Sequence, residues 1–358
     1  MKTKMKAQLF VEPERMEMVE MDIPEISEKE VLIKVEACGI CGSDISYYYG
    51  FSPLDTADGK GPLVLGHEVA GEIVAMGDYV KSKGTLKIGD RVALNPVQPC
   101  NACNYCRKAQ FNLCKDCRVV GTSVNGGFAE YTKIEYTNVF KLKDNVSFAA
   151  GALTEPLACA MYGMKNLDVQ LGDVVVIIGS GTIGLMMTQI AKARGAGKII
   201  LVGVVDWQLE KGLELGANCI INTLNVASAY YTPNIKKSIL ALTDGMMADR
   251  VIVPTNAVSA INSAVDLGGG HATIVFFGLP GTNDKLEVPL LSAIQSDKII
   301  KFSWLTPLVW PSTIATLNAG LVDVDALITQ KFTLEEAAEG IEFMYRSKEN
   351  KIKGVVVL

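Results

Sequence analysis

The sequence predicts an α/β chain in two parts: a β-rich, barrel-like module, then a parallel sheet with helices on both faces. Three observations point there. At 358 residues the chain exceeds one ordinary core. Its first part is short β-branched runs such as "EVLIKVEACGI", "HEVAGEIVAMG" and "GFAEYTKI", punctuated by Gly, Pro and Asp. Its middle, "DVVVIIGSGTIGLMMTQIAKARGAGKIILVG", reads as buried strand, glycine turn, helix and second buried strand.

The elements follow in order. Residues 1–155 form the β-rich part. From 156 to 299 strand and helix patterns alternate, through "RVIVPTN", the helical "VSAINSAVDLG" and the strand "HATIVFFGLP". Residues 300–358 leave that pattern, closing with a helix and a strand in "TLEEAAEGIEFMYRSKENKIKGVVVL". No internal repeat or low-complexity linker interrupts the chain.

Composition narrows the function. Hydrophobic residues make up 49% and charged residues 20%, a soluble globular balance. A net charge of −5 and a pI near 5.3 argue against a surface that tracks phosphates, so no nucleic-acid partner is expected. The opening "MKTKMKAQLFVEPERMEM" has no apolar core of a signal peptide, and no run reaches the ~18 uninterrupted apolar residues of a membrane span. The expected compartment is the cytoplasm, where the nine cysteines stay reduced.

Five of those cysteines fall in "QPCNACNYCRKAQFNLCKDC". Cys100, Cys103, Cys106 and Cys114 follow C-x2-C-x2-C-x7-C, a spacing that turns four thiolates inward. Four thiolates complete a tetrahedral Zn²⁺ site, and they also suit an iron–sulfur cluster. Either way a closed four-thiolate site leaves no position for a substrate, so its role is to hold a loop. Cys117 falls outside the spacing.

"GSGTIG" supplies Gly179, Gly181 and Gly184, with Thr182 and Ile183 between, as G-x-G-x-x-G between strand and helix. There the glycines permit a tight turn, close approach of a pyrophosphate and close helix packing, and the helix N-terminus receives the phosphates. The acid expected about 20 residues on, which holds the adenosine ribose, is absent. Its position is Gly203, and Asp206 lies three residues later. Glycine leaves room for a 2′-phosphate, yet no cation stands between Gly203 and Gln208. The balance favours NAD, with NADP not excluded and Lys211 the nearest source of charge for it. On this reading Gly203→Asp should restore the ribose contact and sharpen the NAD preference.

Two histidines are present. His271, in "GGGHATIVFF", reads as structural. His67 sits in "LVLGHEVAG" beside Glu68, with "CGICGSDISYYYG" upstream and "TEPLACA", carrying Glu155, downstream. One Cys, one His and a carboxylate can hold Zn²⁺ and leave a coordination position for substrate.

Taken in order over the whole chain, "GICGSD", "GHEVAG", the four-cysteine loop, "EPLACA" and "GSGTIG" resemble the zinc-dependent medium-chain dehydrogenases, nearest the sorbitol and polyol dehydrogenase branch, with threonine dehydrogenase close by. The resemblance implies a GroES-like catalytic domain, a Rossmann domain and a C-terminal return to the former. It implies two zinc ions per chain: a structural one on the cysteine loop, and a catalytic one held by Cys41, His67 and a glutamate. Both Glu68 and Glu155 match family positions that ligate directly or through water. Cys38 matches no ligand.

The implied reaction moves a hydride between a secondary alcohol, or its ketone, and the nicotinamide. Ser43 matches the hydroxyl that passes the alcohol's proton outward, and a turn residue is its other reading. Two departures stand out. Ser46 occupies the place of a relay histidine, so proton exit falls to cofactor ribose and water. The Arg-Tyr pair that meets sugar hydroxyls is replaced by "KFSWLTPLVWP", whose Trp304 and Trp310 suggest either a less polar pocket or subunit contacts. Tyr47 matches a substrate-side tyrosine. A homo-oligomer, dimer or tetramer, is expected. The rival class, a noncatalytic zinc-loop protein, would hold one zinc rather than two.

Overall fold

The computed structural model describes residues 3–52 and 61–358. No helix among them is long and apolar enough to cross a membrane. The chain forms two compact units. One comprises 1–156, 307–320 and 324–358, and the other 157–306 and 321–323.

The first unit is built on a seven-stranded sheet. Along it run Val139–Lys141, Arg91–Leu94, Glu68–Met76, Glu30–Gly39, Lys353–Val357 and Ile328–Phe332, with Tyr131–Glu135 also paired to Glu30–Gly39. Arg15–Asp22, Lys4–Glu12 and Leu63–Val64 form a smaller sheet. Alternation along Glu30–Gly39 sends Val31, Ile33 and Val35 into a core shared with Phe10, Ile73 and Phe128.

Register at the centre of this sheet matters most for function. Gly39 lies opposite Glu68 on one side and opposite Val355 on the other, antiparallel in both cases. The end of an early strand, the start of a later one and the C-terminal strand are thereby brought together. A Cβ on Gly39 would strike the Glu68 carboxylate, so only glycine fits there. The C-terminal strand delivers Lys353, whose Nζ lies 2.7 and 2.6 Å from the two Glu68 oxygens and donates to the Ile40 carbonyl at 2.8 Å. Glu68 and Lys353 are 0% and 4% exposed. Burial alone would lower the lysine pKa, but Glu68 and Cys41 outweigh it and raise it, keeping the ammonium charged.

The second unit holds six parallel strands, ordered Cys219–Asn222, Lys198–Gly203, Val174–Ile178, Ala248–Val253, Gly268–Phe276 and Ile299–Phe302. In chain order this is 3-2-1-4-5-6, the doubly wound arrangement whose ligand crevice opens where the order reverses. The central strands are almost continuously buried, as a sheet covered on both faces requires. The parallel sheet runs to Phe302, past the 299 boundary read from the sequence. That last strand is an edge strand of four residues with exposed ends, too short and too polar at Lys301 to announce itself by pattern.

Breaking the buried pair from one side should be costly. In the metal-free protein Lys353→Met is expected to lose about 3–5 kcal/mol by leaving the buried Glu68 carboxylate without its partner. Adding Glu68→Gln should recover part of that loss, as measured by urea denaturation of both variants.

Candidate active site and metal centres

The four cysteines of the loop do converge. Cys103 and Cys106 sulfurs are 3.6 Å apart and Cys100 and Cys106 sulfurs 3.9 Å, while the Cys100 and Cys103 amides donate to the sulfurs of Cys114 and Cys100. All four ligand atoms lie within 4.8 Å of one another. A tetrahedron of ~2.3 Å Zn–S bonds has edges of about 3.8 Å, so the cage fits one zinc ion. These separations are far too long for a disulfide. They leave no room for a cubane of iron and sulfide, which settles the alternative left open by the spacing. Backbone N–H groups from Ala102 and Cys103 draw the Cys100 pKa down to about 7, while burial pushes Cys106 up to about 12, so the metal takes up thiols of unequal acidity. Cys117 stands apart, donating to the Arg118 carbonyl.

The second cluster grows from the strand register described above. Cys41 is the N-cap of the helix Gly42–Tyr48, His67 immediately precedes the strand Glu68–Met76, and Glu68 opens it. Their ligand atoms also lie within 4.8 Å of one another. Glu155 is buried in the first turn of Thr154–Leu167 and is not among this set. One thiolate, one imidazole and one carboxylate are three donors suited to zinc, with a fourth position left for substrate.

Asp44 is the functional residue that motif reading passed over. Its Oδ2 accepts from the Cys41 amide at 2.8 Å, closing a capping box. Its Oδ1 lies 3.3 Å from His67 Nδ1. One buried carboxylate thus caps the turn that carries Cys41 and lies beside Nδ1 of the imidazole, on the opposite side of the ring from Nε2. The signal was available: an acid three residues after Cys41, in "CGSD", is the N3 position of a capped helix. Burial opposes a charge on His67, but Asp44 and Cys41 raise its pKa well above the ordinary value.

Ser43 Oγ lies 3.4 Å from His67 Nε2, on the metal side of the ring. Ser46 Oγ instead donates to the Gly42 carbonyl at 3.0 Å within its own helix. Tyr47 is buried, its ring edge-on to Phe10 at 5.0 Å, and its hydroxyl has no hydrogen-bond partner among the described residues. Cys38 is fully buried and its thiol is pushed far up by desolvation, which suits packing. His271 is on the surface, 3.1 Å from Asp297. Trp310 is neither pocket wall nor subunit contact. It is 2% exposed and stacks on Phe140 at 5.2 Å inside the first unit, whereas Trp304 is half-buried.

In the second unit Gly179, at φ +134°, turns the chain out of Val174–Ile178, and Gly181 caps the helix Thr182–Ala193 without a side-chain partner. Space beyond Gly181 is open for 4 Å, whereas a Cβ on Gly184 would strike the Gly179 carbonyl. An open glycine at a helix N-terminus of twelve residues is a cradle that fits a pyrophosphate. Thr182 and Ile183 form its first turn. Asp206 Oδ1 accepts from Asn222 at 2.7 Å and from Ser228 at 2.6 Å. Lys211 is paired with Glu214 at 2.8 Å.

A β-rich unit with a closed thiolate cage and an open Cys–His–Glu site, joined in one chain to a doubly wound dinucleotide fold, defines a metal-dependent dehydrogenase. Comparison gives the same class. The alcohol dehydrogenase GroES-like domain matches residues 27–144, and the zinc-binding dehydrogenase domain matches residues 182–319. Sorbitol dehydrogenase of Bombyx mori is 34% identical over 325 residues, 89% of each chain. Two solved structures superpose along the whole of both chains. One is described as a zinc-binding dehydrogenase of Sinorhizobium meliloti 1021, bound to NADP (TM-score 0.91, 26% identity). The other is called a short chain alcohol dehydrogenase of Escherichia coli CFT073, complexed with NADH (0.89, 29%). This chain belongs to the zinc-dependent alcohol dehydrogenase family, and its cofactors are zinc and a nicotinamide dinucleotide.

Two outcomes follow from this geometry. Cys103→Ser should reduce zinc from two ions to one per chain and lower the melting temperature, while the folded remainder keeps its substrate preference; atomic absorption and calorimetry check both. The aspartate substitution proposed from sequence meets an obstacle. A Cβ on Gly203 would strike Ser180 Oγ and lie 2.8 Å from Ser180 Cβ. Gly203→Asp is therefore expected to lower stability and weaken dinucleotide binding rather than sharpen it.

Proposed function

We propose that this chain oxidises a secondary alcohol of the polyol type, or reduces the matching ketone, with NAD(H) preferred. The observation that carries the reading is the open Cys41–His67–Glu68 set with Ser43 beside it. The polyol assignment draws on the sorbitol dehydrogenase relative and on the hydroxyl-bearing Tyr47.

Cys41, His67 and Glu68 hold the metal, and Glu155 acts on it through water. Bound there, zinc supplies Lewis-acid polarisation of the alcohol, and the nicotinamide supplies the hydride acceptor. Asp44 holds His67 in the tautomer that presents Nε2. Lys353 shares the Glu68 charge, so the carboxylate is a weaker, more exchangeable donor than a lone glutamate would be. Ser43 receives the hydroxyl proton at Oγ and passes it to water, because Ser46 has already committed its own hydroxyl. Tyr47 stands at the substrate side.

In the second unit the Gly179–Gly184 turn takes the pyrophosphate, and Gly203 and Asp206 line the adenosine end. The Asp206 carboxylate opposes a 2′-phosphate, which supports NAD(H). The protein acts as a homo-oligomer, a dimer or tetramer. Leu290, Leu291, Ile294 and Phe302 are each at least two-thirds exposed on one helix and the neighbouring edge strand, an apolar patch that association would cover. Nine free cysteines fit a reducing cytoplasm.

His67→Ala or Cys41→Ala should abolish turnover and leave dinucleotide binding nearly intact. Glu68→Ala and Glu155→Ala should each lower kcat. Secondary-alcohol oxidation followed at 340 nm, with NADH binding measured separately, tests the set. Near wild-type rates in His67→Ala would overturn the mechanism.

A further inference from the structure

The cysteine loop carries five thiols, and its cage uses four of them. The fifth, Cys117, lies three residues beyond the last cage sulfur, Cys114. The short helix Phe111–Leu113 ends at Cys114, Lys115 and Asp116 form a turn, and the strand Arg118–Val119 starts directly after Cys117. That strand is anchored, with Arg118 opposite Gln98 and Val119 opposite Val97. Cys117 is thereby held beside the segment that enters the cage at Cys100. The first and last residues of a four-residue turn have Cα atoms less than about 7 Å apart, and a disulfide spans about 4.4–6.8 Å. Cys117 is half-buried, and its Sγ donates to the Arg118 carbonyl at 3.5 Å, a contact that a serine would make equally well. Burial, then Cys114 and Cys100, push the Cys117 thiol up to about 11, so both cage residues lie within electrostatic reach of it.

We propose that Cys117 is a resolving thiol: when a small hydroperoxide oxidises the loop, Cys117 closes a disulfide with Cys114 and opens the cage. The inference rests on the reading of the four-cysteine loop as a zinc site. The oxidant must be small, because Cys114 is only 9% exposed. Its terminal oxygen passes to Cys114 Sγ, the O–O bond breaks, and the remainder leaves as an alcohol, or as water from hydrogen peroxide. Cys117 Sγ then attacks the resulting sulfenic acid. The S–S bond forms, the S–O bond breaks, and water leaves with the proton of the Cys117 thiol. Two thiols give up two electrons, and one peroxide takes them. Cys117 suits this role because the other three sulfurs are committed to the metal, whereas it stands outside the set. The disulfide leaves three donors where a closed tetrahedral site needs four, so zinc departs and the loop loses its staple. Reduction by a dithiol reverses the step.

The test treats zinc-loaded wild type and Cys117→Ser with a small excess of hydrogen peroxide, follows released zinc with a chromogenic chelator, and maps tryptic peptides without reduction. Trypsin cuts after Arg107, Lys108, Lys115 and Arg118, which places Cys114 on peptide 109–115, Cys117 on 116–118 and the other three cage cysteines on 92–107. The wild type should release the cage zinc, yield 109–115 joined to 116–118, and regain its zinc with dithiothreitol and added metal. Cys117→Ser should start with the same zinc content, accumulate sulfinic acid on 109–115, and regain at most about half of what it lost, because that product resists thiols. The assignment is overturned if the wild type keeps its cage zinc, if 92–107 is the peptide joined to 109–115, or if Cys117→Ser recovers as fully as the wild type. Each of those results leaves the cage itself standing. If Cys103→Ser holds as much zinc as the untreated wild type, the cage reading falls, and this inference with it.

Discussion

The buried pair between Glu68 and Lys353 is the constraint on which the catalytic unit depends. Two charges removed from water must find each other with good geometry, because either one alone would be strongly unfavourable in that interior. Their partners in the chain are 285 positions apart, so the pair can form only if the C-terminal strand returns to the sheet beside Glu30–Gly39. The same return pairs Val355 with Gly39, and Gly39 in turn lies against Glu68. One electrostatic requirement and one glycine thereby hold three distant segments in register at the point where the open metal site is built.

Around that point the polar groups are arranged in a hierarchy. Asp44 sits beneath Cys41 and His67, spending one oxygen on the backbone amide of the cap and the other on the imidazole. Lys353 sits beneath Glu68. Each of the three donors is therefore steered by position: Cys41 by its cap, His67 by a buried carboxylate, Glu68 by a buried ammonium. The cysteine loop works differently. Its thiolates need no outer carboxylate, since four of them satisfy a metal by themselves, and the sulfur separations of 3.6 and 3.9 Å already match such a cage. A closed four-thiolate cage is the kind of site that contributes folding energy, whereas an open three-donor set leaves a position for substrate.

The dinucleotide unit applies close packing where the catalytic unit applies charge. Gly184 lets the helix approach the Gly179 carbonyl, and Gly203 lets Ser180 occupy the space of an absent side chain. A glycine that looks from sequence like room for a phosphate is, in three dimensions, room for a neighbouring serine. Trp310 carries the same lesson. Its place in an aromatic-rich stretch suggested a ligand wall or a subunit contact, yet it is buried in a stack with Phe140.

What the sequence determined alone is the set of parts whose chemistry is local: the cysteine spacing, the glycine turn between strand and helix and the alternation of buried strands with helices. Each is legible because neighbouring residues along the chain carry the whole physical argument, whether tetrahedral thiolates, an exposed helix N-terminus or a period of burial. What only the tertiary structure decided is everything that depends on segments meeting. It showed that the Glu68 carboxylate lies within 4.8 Å of the Cys41 and His67 ligand atoms, in a group that does not include Glu155. It showed that Lys353 pairs with Glu68 and that the Asp44 carboxylate lies beside the His67 imidazole. It also showed that Ser180 fills the space above Gly203, that Trp310 is core, and that the parallel sheet extends to Phe302. No spacing rule encodes these facts, because strand register and side-chain volume join residues tens to hundreds of positions apart, and their energies exist only once the sheet has closed.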